Sequence, residues 1–331
     1  MYIRSERRNI EDDQVILVLI ICKRGDNMQV LRNLQSNMSD ATVLALGSFD
    51  ALHVAHTQII DYTVKFANEN NMVPMVYTFE TRPEQVLKPN ALSDNILSYD
   101  AKCKLLQDMG VELTYFAKFE DVCNMDPREF AVMLKEKFNV SCMVVGFDNR
   151  FGRNAIGDAD TLCDLGKELG FDVKVFDAVT KNNVVVSSTY IRSLIAEGEI
   201  EDAAQFLGRN FFIEGTVQPD RGVGKGMGVP TINLMPDTNI VLPKYGVYAT
   251  IVHIGDDEYA GVTNIGVRPT FELTEITIET HILDFEREMY GEKVRVEFVA
   301  RIRGEKKFNT VMELTEQIFS DIDRARLLLN K

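Results

Sequence analysis

The sequence predicts an α/β unit built on a parallel sheet, followed by an antiparallel β-barrel with a terminal helix. Three observations predict this. From Val43 to about Gly208, apolar strand-like runs alternate with helical patterns. From Phe211 onward, period-two segments follow one another between turn signals. The length, 331 residues, is enough for two cores, since domains usually hold about 100–200 residues.

The elements follow in order. Residues 1–27 differ in texture from the rest: a charged start (Arg4, Glu6, Arg7, Arg8), one apolar stretch, then Lys23-Arg24-Gly25-Asp26-Asn27-Met28. Codons for Lys-Arg-Gly can spell a purine-rich ribosome-binding site upstream of a start codon. A non-native or disordered extension, with Met28 the natural start, is therefore expected; a genuine extra strand or helix is the alternative. The apolar run Val15 to Cys22 is too short for a bilayer, which needs about 20 residues. It also lacks the small-residue cleavage site of a signal peptide.

The expected strands of the first unit are Val43–Leu46, Val73–Thr78, Leu113–Phe116, Cys142–Val145 and Val173–Phe176. Helical patterns cover 56–69, 99–108, 127–138 and 159–169. This alternation implies a Rossmann-like sheet with helices on both faces, and ligands outside the carboxyl ends of its strands. The expected barrel strands are Phe211–Val217, Gly246–Ile254, Tyr259–Asn264, Ile276–Phe285 and Lys293–Ile302. A last helix carries Val311, Leu314, Ile318, Ile322, Ala325 and Leu329 on one face, a stripe expected to pack on the barrel wall. The domains are thus expected at 28–209 and 210–331.

Composition is that of a globular protein, with 45% hydrophobic and 26% charged residues. The net charge of −14 argues against a nucleic-acid or anionic-membrane surface. Nucleotide substrates stay open, because a helix end, an Arg and Mg²⁺ offset a distant acidic surface. Five scattered cysteines without a C-x-x-C pair fit reduced thiols in a cytoplasmic protein.

Chemistry concentrates first in Gly47-Ser48-Phe49-Asp50-Ala51-Leu52-His53-Val54-Ala55-His56, between the first strand and its helix. Free amides and the positive dipole end favour an anion there. The two imidazoles, among only four in the chain, add donors that follow charge building on a phosphoryl group. A solvated surface loop is the alternative. A zinc site is disfavoured, because no H-E-x-x-H, no Cys pair and no third ligand lies nearby.

Ser187-Ser188-Thr189-Tyr190-Ile191-Arg192 opens a second helix. A plain N-cap explains the hydroxyls. It does not explain Arg192 one turn inside, where a cation opposes the dipole and a phosphate would repair the conflict. Loops Thr78–Pro83 and Gly146–Arg153 follow strands, where a second substrate would sit, although each alone reads equally well as a turn with a solvated Arg. In the second unit, Gly224-Lys225-Gly226-Met227-Gly228 has the glycines that let amides approach phosphates, and Thr231 and Asn233 offer hard oxygens for Mg²⁺. A mobile glycine loop is the alternative there. Glu279 and His281 share one face of a strand, and an inward Glu on a barrel strand is costly unless paired or chemically used.

The histidine segment and the S-S-T-Y-I-R segment resemble the G-x-F-D-x-x-H-x-G-H and I-S-S-T-x-I-R signatures of nucleotidyltransferases. Gly224 to Asn233 resembles the flavokinase G-x-x-x-G-x-P-T-x-N signature. Glu279-Thr280-His281-Ile282-Leu283-Asp284-Phe285 and Asn264 to Phe271 resemble flavokinase E-x-H-x-L-D-F and N-I-G-x-R-P-T-F. From about Met28 to the C-terminus the order of motifs is similar to that of the bacterial bifunctional riboflavin kinase/FMN adenylyltransferases.

The resemblance implies phosphorylation of riboflavin to FMN by ATP, then adenylylation of FMN to FAD, with Mg²⁺, in flavin cofactor biosynthesis. It implies small-molecule substrates (riboflavin, FMN, ATP), with no nucleic-acid or membrane partner. By the same resemblance Glu279 is the base on the ribityl hydroxyl and His281 is structural. His53 and His56 act on the α-phosphate and Arg192 holds the outer phosphates. Gly47, Ser48, Phe49, Asp50, Ser187, Ser188, Thr189, Gly224, Lys225 and Gly228 bind nucleotide. Asn264, Arg268, Asn149 and Arg150 bind flavin, and Thr231 and Asn233 bind the metal.

The chain departs from the pattern at Ala51 and Ala55, where relatives have Gly, and at Thr81, Arg82 and Asn149. The Ala55 methyl is expected to crowd a phosphate that packs on bare backbone. Rival readings are a riboflavin kinase with an impaired adenylyltransferase half, and a non-catalytic flavin-binding protein.

Overall fold

A computed structural model describes residues 28–31, 37–87, 94–219, 229–236, 239–269 and 274–330. The first half is a six-stranded parallel sheet. Its strands are β1 (Gln29–Leu31), β2 (Thr42–Leu46), β3 (Val73–Phe79), β4 (Leu113–Ala117), β5 (Val140–Gly146) and β6 (Asp172–Phe176), in the order β1-β4-β3-β2-β5-β6. Helices α1 (Val54–Glu69), α2 (Pro83–Leu87), α3 (Tyr99–Asp108), α4 (Phe119–Val122), α5 (Pro127–Phe138) and α6 (Ala159–Leu169) connect them. The expected strands and helices are all present. Beyond them the sheet gains the short edge strand β1. Residues 1–27 lie outside the described residues.

Both faces of the sheet are covered, which is why its strands read as continuous apolar runs. On β2, Val43 and Ala45 join one core with Ile59, Ile60 and Leu106, while Leu44 and Leu46 join another with Phe130, Leu134 and Leu162. Helix starts are set by local caps. Ser98 accepts from the Ala101 amide at 3.1 Å, Asp158 from Thr161 at 2.9 Å, and Asp126 forms a capping box with Glu129.

The hairpin β7 (Thr180–Lys181) and β8 (Val184–Val185) turns through Asn182 and Asn183, both at positive φ, as a tight two-residue turn requires. Then come α7 (Ser188–Glu197) and α8 (Ile200–Leu207).

The second half is a closed barrel, all antiparallel, in the order β10-β13-β12-β11-β14-β9. Its strands are β9 (Phe211–Gln218), β10 (Ile232–Pro236), β11 (Gly246–Ile254), β12 (Asp257–Pro269), β13 (Thr274–Ile282) and β14 (Lys293–Gly304). Five were expected; β10 is the addition. Helix α9 (Val311–Leu329) lies on the barrel wall, where Ala325, Ile322 and Leu329 meet Val247, Ala249 and Val262. Arg303 donates to both oxygens of the buried Asp321, from Nε to Oδ1 at 3.0 Å and from Nη2 to Oδ2 at 2.8 Å. The expected stripe is most buried along this later part, while Leu314 and Ile318 are half-buried and Val311 at its start is 69% exposed.

The two halves share a core. Ile191, Ile195, Ala203 and Phe206 of α7 and α8 bury against Phe211, Tyr248, Ile278 and Phe298 of the barrel, together with Ala51 and Ile96. A parallel bridge joins Asn95 to Ile240, with Asn95 N–H donating to Asn239 O and Val241 N–H donating to Asn95 O.

Candidate functional sites

Strand order reverses between β2 and β5, so the crevice outside their carboxyl ends is the switch point of the sheet. The histidine loop leaves β2 there, and the loop after Gly146 leaves β5. Phe49 and Leu52 take φ of 45° and 43°, and both are buried. Left-handed backbone at such residues costs about 1–3 kcal/mol each and persists where surroundings over-determine it.

His53 is the N-cap of α1: its Nδ1 accepts from the His56 amide at 3.2 Å. A neutral His53 therefore carries its proton on Nε2, as a donor. The His53 and His56 rings stack, with centroids 3.6 Å apart. His56 Nδ1 is buried with no partner among the described residues. Burial pushes the His53 imidazole down to about 4, and burial together with His53 holds His56 well below its ordinary value.

The pair is thus neutral at pH 7. The unfolded chain takes up these protons near pH 6.5, and folded His53 does so only near 4. Stability from His53, roughly 3 kcal/mol, is present above 6.5 and lost as pH falls through that window. Thermal unfolding between pH 7 and 4.5 checks this. His53→Gln should flatten the acid-side fall, and parallel curves for variant and wild type would refute it.

Asp50 is buried and accepts from Arg192 Nη2 at 2.5 Å, from Arg82 Nη1 at 3.5 Å and from the Ile96 amide at 3.2 Å. Arg192 and Arg82 both donate to Asp94 O, and Arg82 Nε donates to Asn95 Oδ1 at 3.1 Å. The cation one turn inside α7 is therefore offset by the Asp50 carboxylate, a partner the sequence reading did not name. Ser187 caps α7 by accepting from the Tyr190 amide at 3.2 Å. Ser188 is half-buried and Thr189 exposed beside it.

Lys102 of α3, absent from the sequence reading, donates to Ser48 O at 3.0 Å and is pushed down to about 8 by burial. Thr78 donates to the same Ser48 carbonyl at 2.8 Å. Ala51 is fully buried in the shared core and Ala55 packs against it. Both methyls thus meet apolar side chains of the shared core. In the loop after β5, Asn149 N–H closes a turn on Gly146 O and Arg150 pairs with Asp158 at 3.1 Å.

In the barrel, Asn233, Glu279 and Asn264 lie in one register row across β10, β13 and β12. Directly opposite residues of antiparallel strands share a face, so the three side chains project together. That face is outward. Ile278, Thr280 and Ile282 are buried on the opposite face of β13, and Thr280, Thr263 and Thr250 link hydroxyls at 2.9 Å inside. The expected inward Glu279 is corrected accordingly: the inward side was already filled by Ile278 and Ile282.

His281 Nδ1 pairs with Pro230 O at 2.7 Å and so holds the segment before Thr231. A cavity of about 320 Å³ opens beside Thr231, lined by Thr280, Ile282, Phe285, Arg287 and Tyr290. Beyond Phe285, which closes the E-x-H-x-L-D-F segment, the lining residues Glu286 to Tyr290 were missed by sequence reading, because no motif spacing marks that loop. Gly224, Lys225, Gly228 and the side chain of Arg268 lie outside the described residues. The four described cysteines are free, and among the described residues no helix is long and apolar enough to cross a membrane.

Sequence profiles of known families match both halves: FAD synthetase over residues 35–190 and riboflavin kinase over 207–329. A bifunctional riboflavin kinase/FMN adenylyltransferase of Bacillus subtilis is 33% identical over 290 residues, 86% of this chain and 91% of that protein. The Escherichia coli K12 protein of the same name is 30% identical over 89% of this chain and 95% of its own length. A crystal structure from Streptococcus pneumoniae, described as a macrolide-efflux protein, superposes with a TM-score of 0.83 at 28% identity. It covers 90% of this chain and 98% of that one.

Proposed function

The chain belongs to the family of bifunctional riboflavin kinase/FMN adenylyltransferases, and from that premise we propose which residues carry each reaction. The enzyme phosphorylates riboflavin to FMN with ATP, then adenylylates FMN to FAD. The observation that carries the assignment is the pair of sites in one chain: stacked neutral histidines at the switch point, and the Asn233–Glu279–Asn264 row on the barrel. We place the division between the two activities at 209/210, where α8 gives way to β9.

In the kinase half, Glu279 accepts the proton of the ribityl hydroxyl while that oxygen bonds to the γ-phosphorus and the bond to ADP breaks. Asn264, with Arg268, orients the flavin side. Amides of Gly224, Lys225 and Gly228 receive the phosphates. Thr231 and Asn233 are hard oxygen donors two residues apart beside Glu279, a set that fits Mg²⁺, which keeps few protein ligands. When bound, that ion would neutralise charge between phosphates.

In the other half, an FMN phosphate oxygen attacks the α-phosphorus of ATP and pyrophosphate leaves. His53 Nε2–H and His56 donate to the charge that builds there, and their neutrality makes them donors whose own charge does not have to be shed on release. Arg192 and the amides at the start of α7 hold the outer phosphates, with Asp50 keeping Arg192 in place until nucleotide arrives. Gly47 and Ser48 lie under the nucleotide, and Asn149 and Arg150 flank the flavin. We place the enzyme in the cytoplasm, the compartment of its ATP.

Incubation with riboflavin, ATP and Mg²⁺, with chromatographic separation of flavins, tests the reading. FMN is expected first, then FAD with pyrophosphate. Accumulation of FMN alone would refute the adenylylation half.

A further inference from the structure

The junction between the halves places Arg209 against the histidine loop. Its Nη1 donates to Leu52 O at 2.9 Å and its Nη2 to Ala51 O at 2.7 Å. These are the two carbonyls just before the N-cap His53, and Leu52 holds the left-handed φ of 43°. The planar guanidinium fixes both acceptors in one geometry, which a single ammonium cannot do.

The arginine is itself held from the barrel side. Its guanidinium lies 5.9 Å from the Phe212 ring, whose face also meets Arg295 at 4.3 Å. Arg295 in turn is locked by Glu214 at 2.7 and 2.9 Å. Arg209 Nε is buried with no partner among the described residues, so the outer fork carries its hydrogen bonds. Gly208 beside it packs on Val54, the first residue of α1, where a Cβ would come within 2.9 Å of a Val54 methyl. The junction thus closes on the start of the histidine helix.

We propose that Arg209 is a positioning residue for adenylyl transfer: from the barrel side it fixes the Ala51 and Leu52 carbonyls and so aims His53 at the α-phosphate. The proposal rests on the histidine loop being the adenylylation site. The chemical logic is that a donor misplaced by about 1 Å forfeits much of its effect on a transition state. Strained backbone before His53 would relax without the fork.

Arg209 is also one of the charges facing the imidazoles. His53 faces Arg209 and Asp50, and His56 faces His53, Lys102 and Arg209. Burial is the main reason the pair is neutral; Arg209 and Lys102 add to it, and Asp50 opposes them at His53. Removing the Arg209 charge therefore moves the acidic limb of the FMN adenylylation profile to higher pH, an effect that a purely structural residue would not have.

The experiment compares Arg209→Gln and Arg209→Lys with wild type in the full chain. In Arg209→Gln, kcat for FAD formation should fall at least tenfold with KM for ATP nearly unchanged, riboflavin phosphorylation should persist, and the acidic limb of kcat/KM should rise. Arg209→Lys keeps the charge but loses the fork. Its acidic limb should stay in place while kcat falls less. Wild-type kcat in Arg209→Gln, or an unmoved limb, would overturn the proposal. So would a parallel loss of kinase turnover and thermal stability in both variants, which would make Arg209 a residue of the fold. His56→Ala separates the premise: FAD formation surviving that change sinks the site assignment itself. Its loss there, with Arg209→Gln unchanged, sinks only the positioning role.

Discussion

His56→Ala is expected to lower FAD formation from FMN and ATP by about 10²–10³-fold, the typical loss of one preorganised transition-state donor. FMN formation from riboflavin should be unchanged, since the barrel row lies on other strands. The fold should not suffer. His56 keeps a buried Nδ1 without a partner among the described residues, and burial already opposes its charge. An unpaired buried polar atom costs free energy, so its removal should leave Tm level or raise it. A lost rate with a retained Tm identifies a group kept for chemistry at the expense of stability. FAD formation at the wild-type rate would remove the histidine loop from the mechanism.

Glu279→Gln is expected to lower kinase kcat by about 10²–10⁴-fold while FMN-to-FAD conversion continues. Gln has the same shape and can still hydrogen-bond within the row of Asn233 and Asn264, but it cannot accept a proton at neutral pH. Because Glu279 projects from the outer face, the substitution disturbs no buried packing, and Tm should hold. Single-turnover FMN formation in the variant, with FMN supplied separately to read adenylylation, makes the two outcomes independent. Kinase turnover near normal would reject Glu279 as the base.

Much of this was legible along the chain. The parallel strands are apolar on both faces and stood out as runs, and the hydroxyls at Ser187 marked the start of α7. What escaped has physical causes. Strand β1 spans only Gln29–Leu31 and owes its conformation to pairing with β4, not to its own pattern. Strand β10 is half-buried along most of its length and ends in Pro, so no alternation announces it.

Period two told that Glu279 and His281 share a face but not which face. The neighbouring Ile278 and Ile282 were the better guide, since burying two isoleucines outweighs any benefit of enclosing a carboxylate. The Asp50–Arg192 pair joins residues 142 positions apart, and Lys102 reaches Ser48 across 54. Such pairs exist only once the sheet has assembled, and nothing local in the sequence encodes them.

The shared core has a consequence for synthesis. Translation delivers α7 and α8 with Ile191, Ile195 and Phe206 before any strand that covers them exists. Strand β9 closes the barrel against β14, so the first strand of that sheet waits for the last, at Lys293–Gly304. At about 5–20 residues per second, the nascent first half spends roughly 5–20 seconds at the ribosome with that apolar face uncovered. A chaperone that binds exposed aliphatic segments should therefore engage ribosome-bound chains ending shortly after residue 209, and release them once β14 has emerged.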